Sequence, residues 1–174
     1  MRKILVVVDM QRDFVDGSLG TKEAQAIVEA VKNKIRSYPP QDVVATRDTH
    51  AANYLSTCEG RHLPVEHCIE GTDGWQLYPG IDDLLTGCVI FDKPTFGSLK
   101  LAEYLKKLNA ASPLEIEMIG LCTDICVISN ALLIKAYLPE VNISVDPKCC
   151  AGVTPEKHAA AIETMRSCQI QIEE

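Results

Sequence analysis

The chain has 174 residues, 47% apolar and 24% charged, with a formal net charge of -7. Length and composition predict one globular domain, 1–174, able to bury a core without staples. The acidic balance and the lack of any basic run exclude nucleic acid and anionic membrane as expected partners.

The opening "MRKILVVVDMQ" has the basic and apolar parts of a signal peptide. Its apolar run is too short, Asp9 ends it, and no small-residue cleavage site follows. The segment is expected to be a first strand buried on both faces, and the protein to be cytoplasmic. No apolar run nears the ~20 residues of a membrane span. "KEAQAIVEAVKNKIRSY" then predicts a helix whose apolar face is Ala26, Ile27, Ala30, Val31 and Ile35, stopped by Pro39 and Pro40. Further strands are predicted at "DVVATRD", "CVIFDK", "LEIEMIGL" and "NISVD", with "CQIQIEE" as a sixth at an edge. "SLKLAEYLKKL", "TDICVISNALLIKAYL" and "PEKHAAAIETMRS" are the helices between or after them.

Alternating strand and helix predict a three-layer α/β/α fold with an open, mainly parallel six-stranded sheet. In such sheets ligands bind beyond the carboxyl ends of the strands. That directs attention to Asp9, Asp48 with His50, Lys93, and Cys122 to Cys126. The irregular stretch from about Thr49 to Tyr78 is too long for an ordinary connection. It carries three of the four histidines and the only tryptophan.

Eight cysteines in a chain without a visible leader read as reduced thiols. In "IGLCTDICVIS", Thr123 is a plausible N-cap, which puts Cys126 in the first helical turn. Free N–H groups and the macrodipole there would lower its pKa. From position alone two readings stand side by side: buried core thiols, or a reactive Cys126. Asp9 and Lys93 are each unremarkable alone, as a turn acid and a solvated lysine. Together with Cys126, at one rim of the sheet, they make a workable nucleophilic site. Asp48 and His50, two apart at a strand end, point the same way. With His67 they form a candidate divalent-metal site, with Glu59 as a further oxygen ligand and His62 as an alternative imidazole. Surface histidines in a polar loop remain the competing reading.

The pieces "VVVDMQRDF", "TRDTH", "LPVEHC", "FDKPTFGS" and "IGLCTDICV", in this order over nearly the whole chain, resemble the isochorismatase-like cysteine hydrolases. Within them the resemblance is to the nicotinamidase/pyrazinamidase branch. It implies a Rossmann-like six-stranded parallel sheet. It further implies a triad of base, lysine and nucleophile at Asp9, Lys93 and Cys126. Metal ligands at Asp48, His50 and His67 follow from it, with Glu59 where some members place another. Zinc is the implied ion, with iron or manganese as alternatives. It also implies a cis peptide between Leu121 and Cys122, and an oxyanion hole from the backbone N–H groups of Cys122 and Cys126.

The sequence departs from many nicotinamidases at Leu63, where they carry an aromatic residue, and has one extra residue before His67. Phe14, Leu63 and Phe96 are the candidate substrate contacts, with Trp75 as a third ring. The implied activity is hydrolysis of a small primary amide, nicotinamide to nicotinate and ammonia, through a thioester. Alternatives are a relative acting on another small amide, ureide or vinyl ether, and a non-catalytic thiol sensor or binding module. The expected partners are a small-molecule amide and, as a candidate assembly, a homo-oligomer.

Overall fold

The computed structural model describes residues 1–174. Its strands are β1 (Arg2–Val8), β2 (Val43–Asp48), β3 (Val89–Lys93), β4 (Leu114–Leu121), β5 (Asn142–Ala151) and β6 (Gln171–Ile172). They form one sheet in the order β3-β2-β1-β4-β5-β6, and every pair is parallel. The expected six-stranded α/β architecture is therefore present. The chain winds one way from β1 to β2 and the other way from β1 to β4. The order reverses between β1 and β4, which is where a doubly wound sheet opens a crevice at its carboxyl edge.

The helices are α1 (Arg12–Val15), α2 (Lys22–Ala26), α3 (Val28–Arg36), α4 (Cys58–His62), α5 (Ile81–Leu84), α6 (Leu99–Ala111), α7 (Ile128–Tyr137) and α8 (Pro155–Ser167). Alternation along β1 supplies both cores. Ile4, Val6 and Val8 pack with residues of α6, α7 and α8, while Leu5 and Val7 pack with residues of α1 to α3. Ser98 caps α6 through Leu101 N at 3.2 Å, and Thr154 caps α8 with Pro155 at its first position. No helix is long and apolar enough to cross a membrane. All eight cysteines are free.

Three local expectations are corrected. The helix predicted over residues 22–38 is two helices broken at Ile27, so its inner face rests on Val28, Val31 and Ile35. The fifth strand continues past the predicted "NISVD" to Ala151, through a register shift opposite Met118 and Gly120. The predicted helix beginning at Thr123 starts instead as a π-turn, Thr123–Val127, before α7. Gly120 has φ +117°, and a Cβ there would lie 2.1 Å from Val8 O. Only glycine lets β1 and β4 close together where the crevice begins.

At the opposite edge of the sheet, Glu117 is 2% exposed and sits among cations. Lys34 Nζ reaches Glu117 Oε1 at 2.6 Å and Asp146 Oδ2 at 2.8 Å, and Lys3 Nζ reaches Glu117 Oε2 at 2.8 Å. The Tyr38 hydroxyl donates to Glu117 as well. Burial works against the Glu117 carboxylate, but Lys3, Lys34 and Tyr38 hold its pKa below the usual range. A carboxyl depressed on folding stabilises above its ordinary pKa, and that contribution is lost as pH falls through the depressed value. Glu117→Gln should lower the unfolding free energy at pH 7 by about 2 kcal/mol, the part-exposed lysines softening the cost of breaking a buried pair. Urea unfolding should show the gap between the two proteins narrowing below the ordinary glutamate value of 4.5.

Candidate active site

Asp9 follows the last residue of β1 with φ 48°, a left-handed conformation that aspartate tolerates better than most residues. Its carboxylate is fully buried, and Thr46 Oγ1 on β2 donates to Asp9 Oδ1 at 2.6 Å. Lys93 ends β3, directly opposite Asp48 at the end of β2. The lysine is 1% exposed. Its Nζ lies 2.7 Å from Asp9 Oδ2, 3.3 Å from Asp48 Oδ1 and 3.3 Å from Cys126 Sγ. The structure thus brings Asp9, Lys93 and Cys126 together. The Asp9 contact is a close ion pair without hydrogen-bond alignment, which leaves Asp9 Oδ2 an open acceptor direction.

Cys126 lies in the π-turn, with Ile125 N and Val127 N both donating to Cys122 O at 3.1 and 3.0 Å. Thr123 does not cap the turn with its side chain. Its Oγ1 pairs with His158 Nδ1 on α8 at 2.8 Å. The peptide between Leu121 and Cys122 is cis. Burial, with the Asp9 carboxylate adding to it, pushes the Cys126 thiol well above its ordinary value. This corrects the expectation of a thiol acidified by a helix start: Cys126 sits in an enclosed π-turn, and enclosure and the neighbouring carboxylate both favour the thiol. Burial also raises the Asp9 carboxyl despite the lysine beside it. Burial disfavours the Lys93 ammonium, but Asp9, Cys126 and Asp48 together hold its pKa above normal. A protonated thiol beside an acid and an ammonium can attack a carbonyl once the acid takes its proton.

The second half of the site comes from the long irregular segment. Asp48, His50, Glu59 and His67 offer ligand atoms that all lie within 4.8 Å of one another. His50 Nε2 is 2.8 Å from Asp48 Oδ2, and His67 Nε2 lies 3.6 Å from both Asp48 Oδ2 and Glu59 Oε1. Two nitrogens and two carboxylate oxygens near a tetrahedral edge of ~3.3 Å suit a small divalent ion. The charges suit it too: Asp9, Asp48 and Glu59 outnumber Lys93, and a divalent cation would balance the excess. Burial works to raise the Asp48 pKa, but His50, His67 and Lys93 hold it far below the usual carboxylate range. His62 stays outside the cluster, its Nδ1 against Cys58 O at 2.8 Å.

Both halves face one cavity of about 350 Å³. Its wall includes Phe14, Leu63 and Phe96, together with Leu19, Leu121 and Ile125. Trp75 is elsewhere. Arg47 stacks on its ring at 3.8 Å, and its Nε1 donates to Thr49 Oγ1 at 2.8 Å.

Several supporting residues escaped the sequence reading. Gln11, fully buried, donates through Nε2 to Asp48 O at 2.8 Å and accepts from Asp48 N at 2.7 Å, clamping that residue's backbone. Asp13 Oδ2 accepts from Cys68 N at 2.8 Å, next to His67. Both lie in the quoted "DMQRDF", whose polar spacing was a usable signal. Asn130 is the one buried polar residue of α7. It donates to Cys126 O at 2.8 Å and Phe96 O at 3.1 Å, and accepts from Ser98 N at 2.9 Å. One amide thus ties the cysteine's turn to the loop bearing Phe96.

A model of the isochorismatase domain matches residues 3–173. The chain belongs to the isochorismatase family. Within this family it is 26% identical to the nicotinamidase/pyrazinamidase of Mycobacterium tuberculosis, over 98% of this chain and 97% of that one. The crystal structure of nicotinamidase/pyrazinamidase PncA from Bacillus subtilis superposes with a TM-score of 0.85 at 27% identity, covering all of both chains. The pyrazinamidase of Pyrococcus horikoshii, solved in complex with zinc, superposes with a TM-score of 0.82 at 28% identity, covering 100% of this chain and 99% of that one. These relatives support the nicotinamidase branch of the family.

Asn130→Asp keeps the shape of this side chain but cannot donate to two carbonyls. It should cost about 2–4 kcal/mol of stability at pH 7, measured by denaturant unfolding, because two backbone carbonyls lose their donor and face a carboxylate oxygen instead, while Ser98 N keeps its acceptor.

Proposed function

We propose that this protein is a metal-dependent amidase that hydrolyses a small primary carboxamide, with nicotinamide to nicotinate and ammonia as the leading reaction. The observation that carries the reading is the buried Lys93 ammonium, which meets Asp9 at 2.7 Å and Cys126 at 3.3 Å beneath an apolar cavity. Asp9 takes the proton from Cys126. The sulfur attacks the amide carbonyl carbon, and a C–S bond forms. Backbone N–H groups of Cys122 and Cys126 receive the developing oxyanion, a role such donors fill at a gain of roughly 3–4 kcal/mol each. Asp9 returns its proton to the leaving ammonia as the C–N bond breaks, leaving a thioester. Water, deprotonated by Asp9, then cleaves the C–S bond and restores the thiol. Lys93 keeps its positive charge throughout and offsets the charge that passes between Asp9 and the sulfur.

Asp48, His50, Glu59 and His67 would hold a divalent ion, zinc first, with iron or manganese as alternatives. Such an ion supplies a Lewis-acid contact for a ring nitrogen or for an ordered water. The zinc-bound Pyrococcus relative supports this reading. Phe14, Leu63 and Phe96 bound the space left for a flat ring, so the aromatic contact missing at Leu63 has other apolar neighbours to replace it. A thiol sensor is disfavoured. Cys126 Sγ faces Lys93 Nζ at 3.3 Å in the wall of the cavity, a setting for attack on a bound carbonyl, and burial works against a resting thiolate at both Cys122 and Cys126.

Cys126→Ala should abolish ammonia release and leave metal uptake intact. Because Asp9 must be ionised to accept a proton, activity rises with pH through its pKa. The acid limb of kcat/KM should sit above the ordinary aspartate value of 3.8. Asp9→Asn should lose that limb and about a thousandfold in rate. Chelation should cut activity more than about tenfold, with recovery on adding zinc. Activity indifferent to chelators would point to a metal-free member acting on another small amide, ureide or vinyl ether.

A further inference from the structure

Tyr54 is fully buried four residues before the start of the helix that carries Glu59, and nothing in its local sequence marks it. Its ring centroid lies 4.7 Å from that of His50 and 4.9 Å from that of His67, while the two imidazoles are 4.9 Å apart. The three rings form a closed triangle, with the phenol ring against both imidazoles. Interplanar angles of 55° and 76° set tilted and edge contacts, the arrangements aromatic rings favour. An imidazole that presents one nitrogen to an ion needs its ring plane fixed. The usual device is a partner on the other nitrogen. His67 has one, since its Nδ1 meets Val65 O at 2.8 Å. His50 engages Asp48 through Nε2, and its plane is braced by packing against Tyr54.

The same residue anchors the other two parts of the cluster. Tyr54 O accepts from Thr57 N at 2.9 Å and from Thr57 Oγ1 at 2.7 Å, and Thr57 caps α4, which bears Glu59. Gly60 seats that helix closely, since a Cβ there would lie 2.1 Å from Tyr54 O. The Tyr54 hydroxyl donates to Leu63 O at 2.9 Å, and Leu63 forms part of the cavity wall.

We propose that Tyr54 is a positioning residue with two separable roles: its ring fixes the two imidazoles of the ligand cluster, and its hydroxyl pins the cavity wall at Leu63 to that cluster. The first role rests on the metal reading given above; the second does not. Metal retention and pocket shape are thereby joined through one side chain that touches neither ion nor substrate.

The experiment compares wild-type protein with Tyr54→Phe and Tyr54→Leu. Zinc affinity is read by competition with a chromophoric chelator. Amide hydrogen exchange is read over residues 62–66, and KM and kcat are read with nicotinamide. Tyr54→Phe keeps the ring and loses one hydrogen bond. Zinc affinity should stay within about threefold, exchange over 62–66 should quicken, and KM should rise about three- to tenfold with less change in kcat. Tyr54→Leu should lower zinc affinity about ten- to a hundredfold, the scale typical of lost support around metal ligands. If Tyr54→Leu loses its cooperative unfolding transition, Tyr54→Met serves as the ring-deletion variant. Zinc binding as tight as wild type in the ring-deletion variant overturns the first role. Unchanged exchange over 62–66 in Tyr54→Phe overturns the second. Wild-type protein that takes up no zinc overturns the metal reading and the ring's role with it. Wild-type protein that binds zinc but releases no ammonia from nicotinamide overturns only the substrate, since chelator competition and exchange still decide both roles.

Discussion

A single buried ammonium organises the site. Lys93 Nζ is shared by Asp9, Asp48 and Cys126, all within 3.3 Å, in a side chain 1% exposed. Taking a lysine out of water carries a penalty of several kcal/mol, and only close opposite charge keeps it ionised there. The sheet provides that charge by register. Lys93 pairs across from Asp48, and Asp9 emerges one step beyond Val8, whose partner is Thr46. Three adjacent parallel strands therefore deliver three charged groups to one rim, without help from any loop. The thiol arrives from β4, across the point where strand order reverses.

Asp48 joins the two halves of the site. Its Oδ1 faces Lys93 at 3.3 Å and its Oδ2 faces His50 at 2.8 Å. One carboxylate thus carries charge balance for both the lysine–thiol group and the ligand cluster. Any change of charge in one half is felt in the other at short range and in a low dielectric. Gln11 holds both backbone groups of Asp48, so this shared residue is fixed at its main chain as well as by its carboxylate. The raised thiol pKa belongs to the same economy of charge. A resting thiolate would add a further anion beside Asp9 and Asp48, whereas a thiol adds none until Asp9 accepts its proton.

The fold was readable because buried parallel strands announce themselves as unbroken apolar runs, such as "ILVVV", ended by a polar residue. The residues just past those runs were Asp9, Asp48, Lys93 and Cys122, so the location of the crevice was legible too. Their convergence with Cys126 came from the rule for strand ends and the resemblance of five motifs. The acidity of Cys126 was misjudged because a local cap argument cannot see enclosure by distant walls. Gln11 and Asn130 were missed for a related reason: their hydrogen bonds reach partners 37 and 34 residues away. Ile27 carries no proline or glycine signal to mark the helix break, and the pattern alone continued through it. Trp75 was a ring near the right motif, but its side chain is engaged by Arg47 and Thr49.

Chemistry and shape are held by different kinds of support. The charged groups stand on strand ends locked by register, where a small backbone shift would have to move the whole sheet. The cavity walls hang from irregular segments, and two of them depend on single buried polar side chains. Leu63 is held through the Tyr54 hydroxyl, and Phe96 through the Asn130 amide. Giving up one such side-chain hydrogen bond costs about 1 kcal/mol net. A charge cluster cannot be altered so cheaply, because removing one member strands the others in a low dielectric. This asymmetry leaves the frame of acid, lysine and thiol fixed and makes the apolar wall at Leu63 the easier part to change. Lys93 draws Asp9, Asp48 and Cys126 together directly, whereas Phe96 is linked to that group only through Asn130, and Leu63 to the neighbouring cluster through Tyr54.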